Sequence, residues 1–215
     1  MFLGGGNQSL RPCSQPPPSP MRLPDRLQLA PAILKEATAV IVANHYLHRG
    51  RTMAQLPYWI TLDGDRIGVM LFALPRMSAV FHGYPPMNLL ELARLWIDPE
   101  AQGKTVTDSN GHEHSNPLAS CAVGKALRQC RQDWLIKYPH LPDILAVVSW
   151  ADLEHHEGTI YKASNFKEVG KSGGALHGTR ARNNGGRDQP NPDYRHEKAA
   201  FLFEYHSSLP LVPSA

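Results

Sequence analysis

An α/β domain with a mixed sheet flanked by helices is the fold this sequence predicts, on three observations. Asp63-Gly64-Asp65 separates two apolar runs, which is a strong hairpin signal. Apolar, strand-like runs then alternate with helical patterns, an order that places helices on a sheet. The chain has 215 residues and 42% hydrophobic content, enough for one domain of roughly 150–200 residues with a real core.

The elements follow in order. Residues 1–24 hold a Gly triplet, Pro16-Pro17-Pro18, Pro20 and Pro24, and read as a disordered leader to a single domain over 25–215. Pro31 to Ala43 reads as a helix, with Pro31 in its first turn and Ile33, Leu34, Ala37, Val40 and Ile41 at helical spacing. Tyr58–Leu62 and Arg66–Leu74 are the hairpin strands, and Leu89–Ile97 is a third strand that carries Glu91 and Arg94. Strand alternation puts those two charges on opposite sheet faces. Residues 101–116 are polar and irregular and look like an insertion. Asn116-Pro117 opens a helix as cap and first residue, with Ala119, Ala122, Val123, Ala126, Leu127, Cys130 and Trp134 on its core face. Ile144–Trp150 is a strand, Gly158–Phe166 a short helix and Ala200–Tyr205 a last strand.

Composition narrows the setting. No basic region followed by a long apolar core opens the chain, so a signal peptide is not expected. No apolar run approaches the roughly 20 residues that span a bilayer. A cytoplasmic protein without a membrane partner is the expectation. Cys13, Cys121 and Cys130 are sparse, and the last two lie on opposite faces of one helix, so a reduced protein is the simple reading. The net charge of +3 is mild, but its distribution is uneven. Lys171, Arg180, Arg182 and Arg187 lie in an acid-free Gly/Asn-rich stretch of a loop over 171–198. His45, His48, Arg49 and Arg51 form a second basic cluster. Flexible cations suit phosphate backbones, and a solvated surface loop is the plain alternative.

The stretch from Val147 to Phe166 carries the chemistry. An apolar strand ends on Ser149 and Asp152, a loop with His155, His156 and Glu157 follows, and a helix then presents Tyr161 and Asn165. Strand end, polar loop and helix start is where α/β proteins usually place reactive groups. With Asp152, the run His155-His156-Glu157 could hold a divalent metal through nitrogen and oxygen donors, His156 and Glu157 being the candidate ligands. The cap of the 116–134 helix puts Ser120 in a first turn whose N–H groups favour an anion.

The element order is similar to that of acyl-CoA-dependent N-acyltransferases, and Tyr161-Lys162-Ala163-Ser164-Asn165-Phe166 resembles their Tyr-x-x-x-Gly-Phe motif, with Asn at the Gly position. Several segments together resemble the phage Mom family of DNA adenine-modification proteins: Asn44-His45-Tyr46, the hairpin over 60–72, Leu90-Glu91-Leu92-Ala93-Arg94-Leu95, and Ser149-Trp150-Ala151-Asp152 with His155-His156-Glu157-Gly158-Thr159-Ile160-Tyr161. The match covers roughly 31–170, apart from the insertion.

That resemblance implies a transferase that converts adenine N6 in double-stranded DNA to a carbamoylmethyl-type adduct and shields phage DNA from restriction. N6 is a poor nucleophile, so the base must be flipped out, oriented and relieved of a proton. Asp152 could take that proton or bind a metal. His45 could be a base or a ligand, Tyr46 a stacking surface, and Tyr161 an acid or a group that orients the donor. Arg94 needs a partner, either Asp152 or a carboxylate or phosphate of the donor. Ser120 and Asn165 are the candidate donor-binding residues, and Arg49, Arg51, Lys171, Arg180, Arg182 and Arg187 the DNA-binding ones. Acyltransferases place a Gly-rich pyrophosphate loop where this chain has Gln102-Gly103-Lys104 and then Asn116-Pro117, so acetyl-CoA is not carried over as the donor. Two other readings stay open: a conventional acetyl-CoA-dependent N-acetyltransferase and a non-catalytic DNA-binding protein.

Overall fold

The computed structural model describes residues 22–51, 53–76, 79–103, 106–107, 113–114, 116–172 and 197–205. A short helix α1 (Leu23–Arg26) leads into the edge strand β1 (Leu27–Pro31). Helix α2 (Leu34–Asn44), the hairpin β2 (Ala54–Leu62) and β3 (Asp65–Ala73), and strand β4 (Leu89–Ile97) follow. After α3 (Pro99–Gln102) and a two-stranded ladder of β5 (Val106–Thr107) and β6 (Glu113–His114) comes the long helix α4 (Leu118–Lys137). Strand β7 (Ala146–Asp152), helix α5 (Thr159–Ala163), β8 (Lys167–Ser172) and β9 (Lys198–Glu204) complete the fold.

Seven strands form one mixed sheet in the order β1-β2-β3-β4-β7-β9-β8. Every neighbouring pair is antiparallel except β4 and β7, which run parallel. The hairpin turns as the sequence predicts, with Asp63 and Gly64 both at positive φ. Helix α4 covers one face through a stripe from Leu118 to Trp134, and each of its eight buried residues packs into the main core with Leu56, Ile60, Met70 and Phe72. Helix α2 covers part of the other face, where Ala37 and Ile41 meet Trp59, Val69 and Leu71. Among the described residues no helix is long and apolar enough to cross a membrane.

Three differences from expectation exceed a shift of an element's end by a few residues. The predicted helix at 31–43 begins only at Leu34, because Leu27-Gln28-Leu29-Ala30-Pro31 forms β1, with Leu27 and Leu29 alternating inward. Pro31 ends that edge strand, where a missing N–H is harmless. The predicted basic loop at 171–198 starts inside β8, a polar edge strand with no apolar alternation, which forms because β9 supplies a ladder. Residues 22–24, read as part of a disordered leader, belong to the folded unit: Leu23 packs on the main core, and Lys125 Nζ donates to the carbonyl of Pro24 at 3.3 Å. The rest of the predicted leader lies outside the described residues, as does half of the insertion.

Two predictions follow from this packing. A chain beginning at Leu27 loses the Leu23 contact, the Pro24 acceptor of Lys125 and the exposed Arg26–Asp63 ion pair that a chain beginning at Arg22 keeps, while Lys125 still reaches Leu27 and Gln28. Loss of the Leu23 burial alone is worth about 1–2 kcal/mol, or a melting midpoint about 3–6 °C lower; equal midpoints would show that α1 is dispensable. Gly158 sits at φ 74, and a Cβ there would lie 2.2 Å from Phe201 Cζ. Gly158→Ala should therefore cost at least about 2 kcal/mol by urea denaturation, and a loss under half that would mean α5 shifts freely.

Candidate functional site

The site begins with an irregularity in β4. Along the β3 ladder Leu71 pairs with Arg94 and Phe72 with Leu92, so Ala93 is an extra residue on β4. An inserted residue reverses the alternation beyond it. Leu90 and Leu92 face the main core before the bulge, and Leu95 and Ile97 do so after it. Glu91 and Arg94 therefore share one face, contrary to the simple alternation read from the sequence. The bulge also ends the parallel pairing. β4 and β7 stay paired only from Leu89–Ala146 to Leu92–Ser149. Beyond that point β4 stays with β3 and β7 with β9, and the two strands part. Ser149 Oγ donates to the Leu92 carbonyl at 3.0 Å at the fork itself.

A cleft of about 1320 Å³ opens at this fork. Its floor is β4 from Glu91 to Ile97, and the loop after α2, the loop after β7 and the start of α5 form its walls. His45, Tyr46, Arg94, His156, Glu157 and Tyr161, all singled out from sequence, line it together. The His45 and Tyr46 rings stack at 4.4 Å between centroids, and Tyr46 also meets His155 at 4.9 Å and His156 at 5.3 Å. Tyr46 is 36% exposed, so this aromatic group forms part of the cleft's open side.

The lining is strongly cationic: Arg49, Arg51, Arg76, Arg94 and Lys198 face two carboxylates, Glu91 and Glu157. Arg51 is not a surface contact for DNA, as its cluster suggested. It is buried, and its Nη2 donates to Glu91 Oε2 at 2.7 Å and to the Leu74 carbonyl at 3.2 Å. Burial pushes the Glu91 carboxyl upward, against the opposing pull of Arg51, Arg94, Arg76 and Lys198. Arg94 Nε donates to the Arg49 carbonyl at 3.0 Å and Nη1 to the Ala93 carbonyl at 2.6 Å. No ion pair to Asp152 forms. Burial raises the Tyr161 hydroxyl, while Ser149 and Arg94 beside it act the other way. Tyr161 is also held by Phe201, at 5.1 Å between ring centroids.

Other sequence candidates fall elsewhere. Asp152 is buried at the end of β7 and outside the cleft lining. Its Oδ1 accepts Glu154 N–H at 3.2 Å and its carbonyl accepts those of His155 and His156, so it builds the turn that carries the two histidines. Ser120 and Asn165 line a separate cleft between α4 and the end of α5. Ser120 Oγ is turned back on the Pro117 carbonyl at 3.0 Å. Asn165 has φ 64, the left-handed conformation that its match to a motif glycine requires. Among the described residues no group of three or more His, Cys, Asp or Glu is placed to hold a metal, and His156 and Glu157 have no third donor there. Lys171 lies in β8 and pairs with Glu197 at 3.3 Å, while Arg180, Arg182 and Arg187 lie outside the described residues.

The start of α4 does not fit an acyl-CoA pyrophosphate. Asn116 Oδ1 already accepts Leu118 N–H at 3.0 Å, Pro117 has no N–H to give, and neither residue directly before the helix is a glycine. Glu91, Arg76 and Lys198 are the charged lining residues that sequence reasoning did not assign to the site. Only the bulge could have revealed Glu91, and no local pattern marked the other two.

The His45 environment generates a prediction. Burial in the cleft wall, then the charge of Arg94, then His156 and His48 lower its pKa from the ordinary value to about 4. Burial also lowers His156, with His155 in the same direction and Asp152 opposing. Between pH about 6.5 and about 4 the unfolded chain binds a proton that the folded His45 refuses, so stability falls as pH falls through that window. The loss should reach up to roughly 3 kcal/mol, and chemical denaturation of His45→Gln should show a flatter pH profile. Parallel profiles would place the acid sensitivity elsewhere.

Solved structures resemble this chain at low identity. A putative acetyltransferase from Salmonella typhimurium with acetyl-CoA is 11% identical, with 88% of this chain and 99% of that chain covered and a TM-score of 0.49. A GNAT family acetyltransferase from Elizabethkingia anophelis with acetyl-CoA bound is 11% identical, with 84% and 99% covered and a TM-score of 0.44. No curated protein sequence matches. The Mom protein family's model matches residues 26–187, which span the whole cleft-forming sheet up to β8, and on that match the chain belongs to the Mom protein family.

Proposed function

We propose that this protein transfers a small group to the exocyclic amine of adenine in DNA, giving a carbamoylmethyl-type adduct that protects the DNA from restriction. The observation that carries this reading is the fork cleft, which joins a cationic lining to an exposed aromatic group and a buried carboxylate. Each part has a task in such a reaction. Cations bordering the opening attract a phosphate backbone without reading bases. Tyr46, backed by His45 and His155, offers a stacking surface to an extruded base. N6 must lose a proton as its new bond forms. Glu91 is the carboxylate on the cleft floor, and its burial makes it a better proton acceptor than an ordinary glutamate. Tyr161, close to Arg94 and to Ser149 at the fork, is placed to orient the donor. Asp152 acts at one remove, by shaping the turn that holds His155 and His156. The Mom family membership supports the choice of adenine in DNA as the target.

DNA from cells expressing the protein should contain a heavier form of deoxyadenosine and unaltered cytosine and guanine nucleosides, read by mass spectrometry. Unaltered DNA from cells with abundant soluble protein would overturn the reading. Glu91→Gln and Tyr161→Phe should each lower modification by about 100-fold or more, the scale of a lost acid–base or orienting group. Asp152→Asn keeps an acceptor for Glu154 N–H and should retain most activity, whereas Asp152→Ala should not. Full activity in Glu91→Gln would return the proton acceptor to Asp152 or His45.

A further inference from the structure

His45 and Arg94 line the same cleft, and each carries a hydrogen-bond donor that no acceptor among the described residues takes. His45 is 9% exposed, and its Nδ1 accepts the Leu47 N–H at 3.2 Å. A ring nitrogen that accepts carries no proton, so the neutral imidazole bears its hydrogen on Nε2. Among the described residues Nε2 has no hydrogen-bond partner. Buried N–H groups are rarely left so. Arg94 is half-buried and faces the cleft. Nε and Nη1 are spent on the carbonyls of Arg49 and Ala93, and among the described residues Nη2 meets no acceptor and the guanidinium no carboxylate. Two backbone carbonyls also fix the plane in which Nη2 projects.

We propose that His45 Nε2–H and Arg94 Nη2 together form a receptor for a carboxylate oxygen of the small molecule that donates the transferred group. This rests on the group-transfer reading above. One neutral donor beside one cationic donor suits a charged oxygen; the neutral edge of adenine would leave the Arg94 charge uncompensated. Tyr161 borders the same end of the cleft and also feels the Arg94 charge, so a carboxylate seated there lies beside the hydroxyl that would orient the rest of the donor. The charged and titratable groups facing His45 are Arg94, His156, His48 and the stacked Tyr46. None is an acid that would hold the imidazole protonated, so His45 stays a donor through Nε2 and does not serve as a base.

The test uses the full chain with 15N-labelled histidine, observed by NMR, with sodium acetate as the carboxylate probe. His45 should hold the Nε2–H tautomer from pH about 5.5 to about 8. Its Nε2 resonance should move saturably with acetate and stay in place with a short duplex oligonucleotide. Arg94→Met should weaken the acetate response about tenfold or more, the scale of one charge-assisted hydrogen bond, with Arg94→Lys between the two. His45→Gln, whose amide N–H reaches toward the Nε2 position, should keep acetate binding by calorimetry, and His45→Asn should lose it. An Nδ1–H tautomer, an unchanged response in Arg94→Met, or a resonance moved by the oligonucleotide alone would each overturn the receptor, the last by assigning the seat to a DNA phosphate. Intact acetate binding in a protein that leaves DNA unaltered would instead count against the group-transfer reading alone.

Discussion

The extra residue Ala93 in β4 is the constraint on which the rest of the site depends. Without it, Glu91 and Arg94 would face opposite sides of the sheet, and β4 would run on beside β7. With it, both charges reach one face and the parallel ladder ends at Leu92–Ser149. A parallel pair needs evenly spaced bonds along both strands, so one surplus residue at the end of a short pairing is enough to part them. The strands then diverge around a space that no side chain of the sheet fills. The fold tolerates this opening because the core on the α4 face continues past it, through Leu95 and Ile97 on one strand and Ala151 on the other.

Electrostatics inside the opening follow from how few acids border it. Glu91 is matched closely by Arg51, which is why that pair can be buried at all. Arg94 is held by carbonyls instead of an acid, so its charge is left to act on its neighbours: it opposes the upward shift of Glu91 and Tyr161 and helps keep His45 neutral. One guanidinium thus biases three groups at once. The rings around Tyr46 work with the same field: burial lowers His45 and His156, and neutral imidazoles can pack closely where imidazolium rings would repel each other and Arg94.

The loop between β7 and α5 shows how far a reactive-looking sequence can be structural. Asp152, read as the main carboxylate of the site, spends its side chain and carbonyl on the turn from 152 to 156. That turn presents His155 and His156 to Tyr46, and Gly158 then lets α5 start against Phe201, where any side chain would collide. Asn165 closes the same helix in a left-handed conformation and allows Phe166 to turn into the core. The segment's chemistry comes from what it holds in place.

Local pattern was enough for much of this protein. Turn residues with positive φ marked the hairpin, a stripe of small and apolar residues marked α4, and a buried run marked β7, because each of these depends on neighbours within a few positions. The gathering of His45, Tyr46, Arg94 and Tyr161 was legible as well, through the ordered family segments that carry them. Tertiary structure decided the rest. Strand β8 exists through the ladder that β9 lends it, the partner of Arg51 lies 40 residues away on another strand, and Ser120 and Asn165 open onto a different cleft from their supposed companions. Above all, the side on which Glu91 and Arg94 meet depends on a register shift against β3. A strand's own sequence carries its alternation but not the place where its neighbour skips a residue, since that is set by how two strands align when their cores are packed.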